Sequence, residues 1–554
     1  MQKSCVKCGS QFEVTDDDLK FYEKVSPTFN DIKIQIPAPN QCPDCRLQRR
    51  MAHRNEWSLY SRKCDLSDKQ IVSIYSPDVP FEVYEQSEWW SDKYDPLEYG
   101  REFDFSKTFF EQFNELNMSV PKASIINAKS ENSAYTNYSA ENNNLYMVVG
   151  GLGCERCYHS YRIFYSSDIC DCYDMYKCER CYMCNECSEL FDCTGCLRCQ
   201  NGSDLKYCLD CNGCNHCFGC INMRNKKYCI MNKEYSEAEY ESKVVELMKD
   251  PKKTLADISK FQSKFPRRSS YIIQCTNSTG DRLMQCKNCH DCYTVTDMED
   301  CKYVQIAVGS KDCVDCNFSD NCELMFFSAN NEKNYHILYG CMNWYNKYTI
   351  YCTNCFYSTN LFGCSGMKKH NYCILNKQYS KEEYEELIPK IIDHMKTTNE
   401  WGEYFPFELS PFAYNETVAH EYYPLTKEEV EKRGFKWKEM KDEIPKVEKI
   451  ISASQLPDTI EDIPDDVLNW AIKCEETDRP FKIVKQELEF YRKMKLPIPH
   501  LHPDERHKRR MALRNPRKLW ARTCDKCQKE IQTTYAPERP EKVFCEECYL
   551  AEVY

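Results

Sequence analysis

From Cys154 to Cys373 the small apolar positions are filled largely by cysteine, and they recur on fixed spacings. Cys157, Cys178, Cys199 and Cys220 step by 21 residues, as do Cys172, Cys193 and Cys214, and Cys187, Cys208 and Cys229. A period in the low twenties is the mark of a solenoid. Polar breaks at Asn201-Gly202-Ser203 and Asn212-Gly213 interrupt any long helix. Each 21-residue unit therefore reads as one coil of a parallel β-helix. The block is then repeated: an offset of 144 carries Cys157 to Cys301, Cys172 to Cys316, Cys208 to Cys352 and Cys229 to Cys373. Both halves run into a helix behind a capping box, Ser236 with Glu239 and Ser380 with Glu383. Tyr384, Leu387, Ile388, Ile391, Ile392 and Met395 share one face of the second helix. Such helices cover the open end of each half, which would otherwise present an unpaired edge.

The two ends of the chain are copies of each other. Arg49-Arg50-Met51-Ala52-His53-Arg54-Asn55 matches Arg509-Arg510-Met511-Ala512-Leu513-Arg514-Asn515 at an offset of 460, which also places Cys64 on Cys524 and Tyr75 on Tyr535. Each copy has room for two paired C-x2-C sites, and the copies have kept opposite ones. Cys5, Cys8, Cys42 and Cys45 form one complete set; Cys524, Cys527, Cys545 and Cys548 form the other. Two such knuckles wrap one tetrahedral ion with four thiolates, the ligand set of a structural zinc ribbon. One lost site reads Cys64, Ser67, Glu85, Glu88, which is too poor in soft donors; the other reads Cys474, Thr477, His502, Glu505, where few and harder ligands disfavour a residual metal but leave it open.

Composition sets the compartment and weakens one partner class. Forty cysteines stand in 554 residues behind an N-terminus without an apolar leader, and no apolar run reaches a membrane span. The expectation is a reducing cytoplasm, where thiols bind metal, pack or do redox work. A net charge of −12 disfavours nonspecific nucleic-acid binding unless a basic patch is set apart. Such a patch exists at Arg509, Arg510, Arg514, Arg517 and Lys518 beside Trp520, echoed by Arg49 and Arg50. It reads equally as phosphate contacts or as a helix face paired with the chain's own carboxylates.

The central thiols also allow two readings. As small hydrophobes they would stack into an interior ladder. As ligands, Cys178, Cys181, Cys184 and Cys187 have ferredoxin-like spacing, and Cys193, Cys196, Cys214 and Cys217 could pair across coils. The ladder needs only geometry and is preferred; additional zinc or an iron–sulfur cluster stays open. No thiol is set beside a base or a helix start. Phosphate-cradling loops and the common hydrolase and metalloprotease motifs are missing from the sequence.

Cys5-Val6-Lys7-Cys8, Cys42-Pro43-Asp44-Cys45-Arg46, Trp89-Trp90-Ser91-Asp92-Lys93, Phe103-Asp104-Phe105-Ser106 and Cys545-Glu546-Glu547-Cys548 resemble a family of large cysteine-rich zinc-ribbon proteins of candidate-phylum bacteria. The resemblance covers nearly the whole chain. It implies zinc and architecture but no activity, and no residue supports the CoA-transferase label that members sometimes carry. The family pattern has a second C-x2-C…C-P-D-C site, from which this chain departs at Thr477, His502 and Glu505.

The expected fold is mixed but mainly β. Residues 1–90 form a zinc-ribbon unit and 91–126 an aromatic docking segment. Solenoid halves with capping helices occupy 127–250 and 251–397. An aromatic segment and extended linker span 398–465, and 466–554 form the second zinc-ribbon unit. The expected function is a zinc-stabilised scaffold or protein-interaction protein. The alternatives are a nucleic-acid- or ribosome-associated protein and a metal-cluster or thiol redox protein.

Overall fold

The computed structural model describes residues 1–439 and 446–553. Parallel strands dominate the middle of the chain, running from Asn143–Leu152 to Lys227–Ile230 and again from Gly280–Met284 to Asn371–Ile374. The solenoid, its two halves and the capping helices are as the cysteine columns imply. The coil length is not. Asn143 pairs with Glu155, Cys157 with Ile169 and Cys181 with Cys193, so one coil takes 12 residues rather than 21.

The backbone explains the difference. Arg156, His159, Arg162, Tyr165 and every third residue onward to Asp192 sit in the left-handed region, with φ between 47° and 57°. The second half keeps the same phase, for example at Tyr345, Tyr348, Tyr351, Asn354 and Tyr357. Each left-handed residue turns the chain, and four turns close a coil. The elementary period is therefore three. Twelve, 21 and 144 are all multiples of it, so cysteine columns recur at 21 without marking a coil. Non-glycine residues accept this conformation at roughly 1–2 kcal/mol each, least for Asn and Asp. The ladder of hydrogen bonds above and below offsets the cost.

One residue of each triplet points inward, and this is the position most of the central cysteines hold. Cys172, Cys184, Cys196, Cys208 and Cys220 stand above one another on a single corner, all buried. Cys178, Cys181, Cys184 and Cys187 are the successive inward corners of one coil, which accounts for their ferredoxin-like spacing. The cysteines share this position with larger apolar side chains such as Ile163, Met175 and Leu205, and polar capacity is needed as well. At some rungs the inward N–H has a side chain twelve residues earlier as its acceptor. Cys172 N–H donates to Ser160 Oγ at 3.0 Å, Cys154 N–H to Asn142 Oδ1 at 2.9 Å, and Cys184 N–H to Cys172 Sγ at 3.3 Å. A buried N–H left unmet costs about 1–3 kcal/mol. Cysteine, serine and asparagine serve here because they combine small volume with an acceptor atom.

Both capping boxes form. The helix Lys381–Thr397 buries Tyr384, Ile388, Ile391, Ile392 and Met395 against the end of the second half. The aromatic segments pack on that half too: Phe109 meets Tyr351 and Phe362, and Phe113 stacks on Phe405. The stretch expected as an extended linker is folded where it is described. Lys449–Ser452 pairs in parallel with Trp470–Lys473, burying Ile451 and Ile472. Residues 440–445 of that stretch lie outside the described residues.

Candidate metal centres

Four hairpins with the same turn are distributed over the two ends. Each closes with an N–H donated back to the carbonyl of its first cysteine: Gly9 to Cys5, Asp68 to Cys64, Asp478 to Cys474 and Gln528 to Cys524, at 2.9–3.0 Å. The donor residue has a positive φ in all four, from 55° to 74°. The turn thus survives where the thiols have been lost, so its geometry does not depend on metal ligation.

At the two intact positions the sulfurs converge. The thiols of Cys5, Cys8, Cys42 and Cys45 lie within 4.8 Å of one another, as do those of Cys524, Cys527, Cys545 and Cys548, and either set could hold a metal ion. Cys8 Sγ stands 3.7 Å from Cys42 Sγ, and Cys527 Sγ stands 3.7 Å from Cys545 Sγ. Four sulfurs on a tetrahedron with 2.3 Å zinc–sulfur bonds are about 3.8 Å apart. The donor set therefore fits that ion in both number and spacing. Cys42 and Cys45 flank the start of the helix Pro43–Met51. The neighbouring Cys45 thiol holds Cys42 down to about 4 against burial, while Cys45 itself is raised. At the other end burial raises Cys524, but the backbone N–H groups of Cys527 and Cys545 bring it down to about 6. Each cluster thus favours a thiolate, the protonation state that a metal requires.

The two reduced sites have gone different ways. In the N-terminal copy Glu88 takes the place of an ion. Its Oε2 accepts from Ser67 Oγ at 2.6 Å and Cys64 Sγ at 3.1 Å, and Lys93 and Lys69 approach its other oxygen at 3.5 and 3.7 Å. The Ser67 and Cys64 hydrogen bonds hold the Glu88 carboxyl down to about 2. In the C-terminal copy His502 Nδ1 accepts from Asp504 N–H at the start of its helix, and Glu505 pairs with Lys508. Among the described residues no third group gathers donor atoms as closely as the two four-cysteine sets.

The central candidates Cys178, Cys181, Cys184, Cys187, Cys193, Cys196, Cys214 and Cys217 form no such group. They are buried, but their sulfurs are directed at the backbone. Cys178 donates to Tyr176 O at 3.4 Å, Cys187 to Asn185 O at 3.1 Å and Cys196 to Leu205 O at 3.2 Å.

The basic residues that could face a nucleic acid are used to dock the ends onto the solenoid. Arg46 and Arg50, on the helix Pro43–Met51, bind the two oxygens of Asp315 at 2.8 and 3.0 Å, all three side chains being at most 3% exposed. Arg506 and Arg510, on the helix Pro503–Ala512, bind the two oxygens of Asp171, the second at 2.5 Å. Asp171 and Asp315 are 144 residues apart and the arginines 460 apart. The N-terminal unit thus docks on the second half, the C-terminal unit docks on the first, and the duplication conserves one joint twice.

The other arginines join in. Arg49 pairs with Glu403, Arg514 with Glu421, and Arg517 reaches Gln305 and Tyr173. Arg54 sits between the rings of Tyr138 and Phe318, 3.6 and 4.0 Å from their centres. Arg49, Arg50 and Arg510 are therefore buried in the joints, and the half-buried Arg514 and Arg517 are engaged by partners within the molecule. Arg509 is exposed and pairs with Glu476, and the exposed Lys518 lies over Trp520.

No helix among the described residues is long and apolar enough to cross a membrane. Compared with known proteins, the chain matches no family model and no curated protein.

Proposed function

We propose that the protein is a zinc-stabilised scaffold that acts by binding a partner, with one structural ion at each end. The observation that carries this reading is the convergence of eight terminal thiols into two sets of four at tetrahedral spacing. Filled by four thiolates, an ion has no position left for water or substrate, which suits structure rather than catalysis. Each ion would tie two distant knuckles together and so contribute directly to the folding of its unit, and those units clamp the solenoid through Asp171 and Asp315. The nucleic-acid reading loses support because five of its six arginines are engaged by partners within the molecule, three of them buried.

X-ray absorption at the zinc edge of the purified chain tests the proposal. Four sulfur scatterers per zinc at about 2.3 Å are expected. Three sulfurs with an oxygen would show an open, reactive position and overturn the structural assignment.

A further inference from the structure

Between the N-terminal unit and the second solenoid half lies a cavity of about 450 Å³ that the metal sites do not use. Its walls are aromatic, with Trp89, Trp90, Trp344, Phe356, Phe405 and Phe412 among the lining residues. The volume and lining are those of a small-molecule site: mostly apolar with few polar groups. Lys122 is one of the polar groups. It lies on the short strand Lys122–Ala123, which pairs with Val83–Tyr84 of the terminal unit, and is 3% exposed. Its Nζ bonds Asn117 Oδ1 at 2.6 Å and Ser365 Oγ at 3.0 Å. Two N–H groups satisfy those partners; an ammonium has a third. His53 also lines the cavity, and its buried Nε2 has no hydrogen-bond partner. Tyr357 and Lys369 are exposed lining residues, giving a route from solvent.

The duplication supplies an internal control. The C-terminal unit docks on the first half through the same joint, with Val543 pairing Arg267 as Val83 pairs Lys122. There the counterparts of Trp344 and Phe356 are Gln200 and Asn212, and the counterparts of Trp89 and Trp90 are Tyr549 and Leu550. Tyr549 is instead hydrogen-bonded to Asn222 at 3.0 Å. Docking a terminal unit does not by itself call for an aromatic chamber around a buried amine.

We propose that this cavity binds a small aromatic molecule bearing one carboxylate, with the ring between the aromatic walls and the carboxylate on Lys122. A neutral apolar ligand would leave the amine with only its present partners. A carboxylate takes the third N–H and offsets the cost of a charge in this place. Burial lowers the Lys122 amine to about 7, with the Cys355 thiol acting against that shift. The His53 imidazole is lowered by burial to about 3, with Arg49 acting in the same direction, so it is neutral above that range. Lys122 is thus the group whose charge a ligand would change near neutral pH.

The test is titration of the full chain with 2-naphthoate and with the neutral 2-naphthalenemethanol, read by quenching of the lining tryptophans. The expected result is single-site binding with naphthoate preferred at least tenfold at pH 7. Between pH 8 and 9 naphthoate affinity should fall about tenfold, while alcohol affinity stays level, because the anion selects the protonated amine. Lys122→Met should abolish the preference and the pH dependence but still admit the alcohol. Ala128→Phe, which narrows the cavity and leaves Lys122 intact, should weaken both probes alike; its folding is checked by metal content and circular dichroism. Equal affinities for the two probes, a naphthoate preference that survives Lys122→Met, or no quenching by either probe would overturn the proposal.

Discussion

Asp315→Asn is the perturbation that separates the docking joint from an ordinary surface ion pair. Asp315 is fully buried and shared by Arg46 at 2.8 Å and Arg50 at 3.0 Å, whose side chains are 3% and 1% exposed. The amide keeps the shape of the side chain and removes the charge, leaving two guanidinium groups without their common partner. Arg46 retains Gln41 O at 2.6 Å and Arg50 retains Asn317 Oδ1 at 2.6 Å, so neither loses all of its acceptors. Breaking a buried pair by removing one member costs about 3–5 kcal/mol. At 1.4 kcal/mol per decade, local opening should increase on the order of 10²–10³-fold. Hydrogen exchange of the metal-loaded chain measures this directly, as loss of protection over residues 43–51. Global unfolding is a poorer assay, since a chain with several units and bound metal need not unfold in two states. The matched control is Glu476→Gln, which removes the partner of Arg509, a residue 61% exposed in its side chain. An exposed pair is worth at most about 1 kcal/mol. A protection loss of less than threefold with Asp315→Asn, or an equal loss with Glu476→Gln, would refute the argument.

Three further expectations follow from the same geometry. Ser67→Cys, Glu85→Cys and Glu88→Cys together should restore a lost site beside Cys64, because the knuckle turn at Asp68 is already formed; metal analysis should then find one more zinc per chain, and an unchanged content would show that the turn alone is insufficient. Met183 is half-exposed at a left-handed corner with φ 54°, so Met183→Asn should stabilise the solenoid by about 1 kcal/mol and Met183→Val should destabilise it, as read by thermal denaturation. The folded-state Lys122 amine titrates near 7, below its unfolded value near 10.4, so the unfolded chain binds more protons between those limits and stability should rise with pH across them. The difference between wild type and Lys122→Met in the local opening free energy around residues 122–123, read by hydrogen exchange, should span on the order of 5 kcal/mol over that window, and a flat difference would show that the amine is not held neutral.

The paired C-x2-C spacing gave direct access to the terminal clusters, because each knuckle is local and only the meeting of two knuckles is long-range. The solenoid was legible from recurring cysteines, but its coil was misread. The 30 central cysteines, all but Cys170, Cys275 and Cys341, lie a multiple of three residues from Cys154. The triplet is thus present in the sequence, but seven triplets and four triplets give columns of equal regularity. The left-handed corners leave a weaker trace. Asp168, Asp171 and Asp174 fit the usual preference, but Arg156, Tyr165 and Lys177 occupy the same conformation.

The arginine pattern was visible, yet its use depended on Asp171 and Asp315, which look like any surface aspartate until the coil carries them beneath the docked helices. The aromatic cavity was legible only in part: the aromatic segments supply Phe113, Phe405 and Phe412, but nothing local joins them to the rest of the lining. His53, Trp89, Lys122, Trp344 and Phe405 come from separated stretches that only the docking brings together.

Zinc content of gently purified protein, measured on the wild type and on Cys8→Ser and Cys527→Ser, tests the central claim most directly. The account predicts two zinc ions per chain, one lost with each substitution, and no iron. A metal-free wild type, or a content that both substitutions leave unchanged, would contradict it.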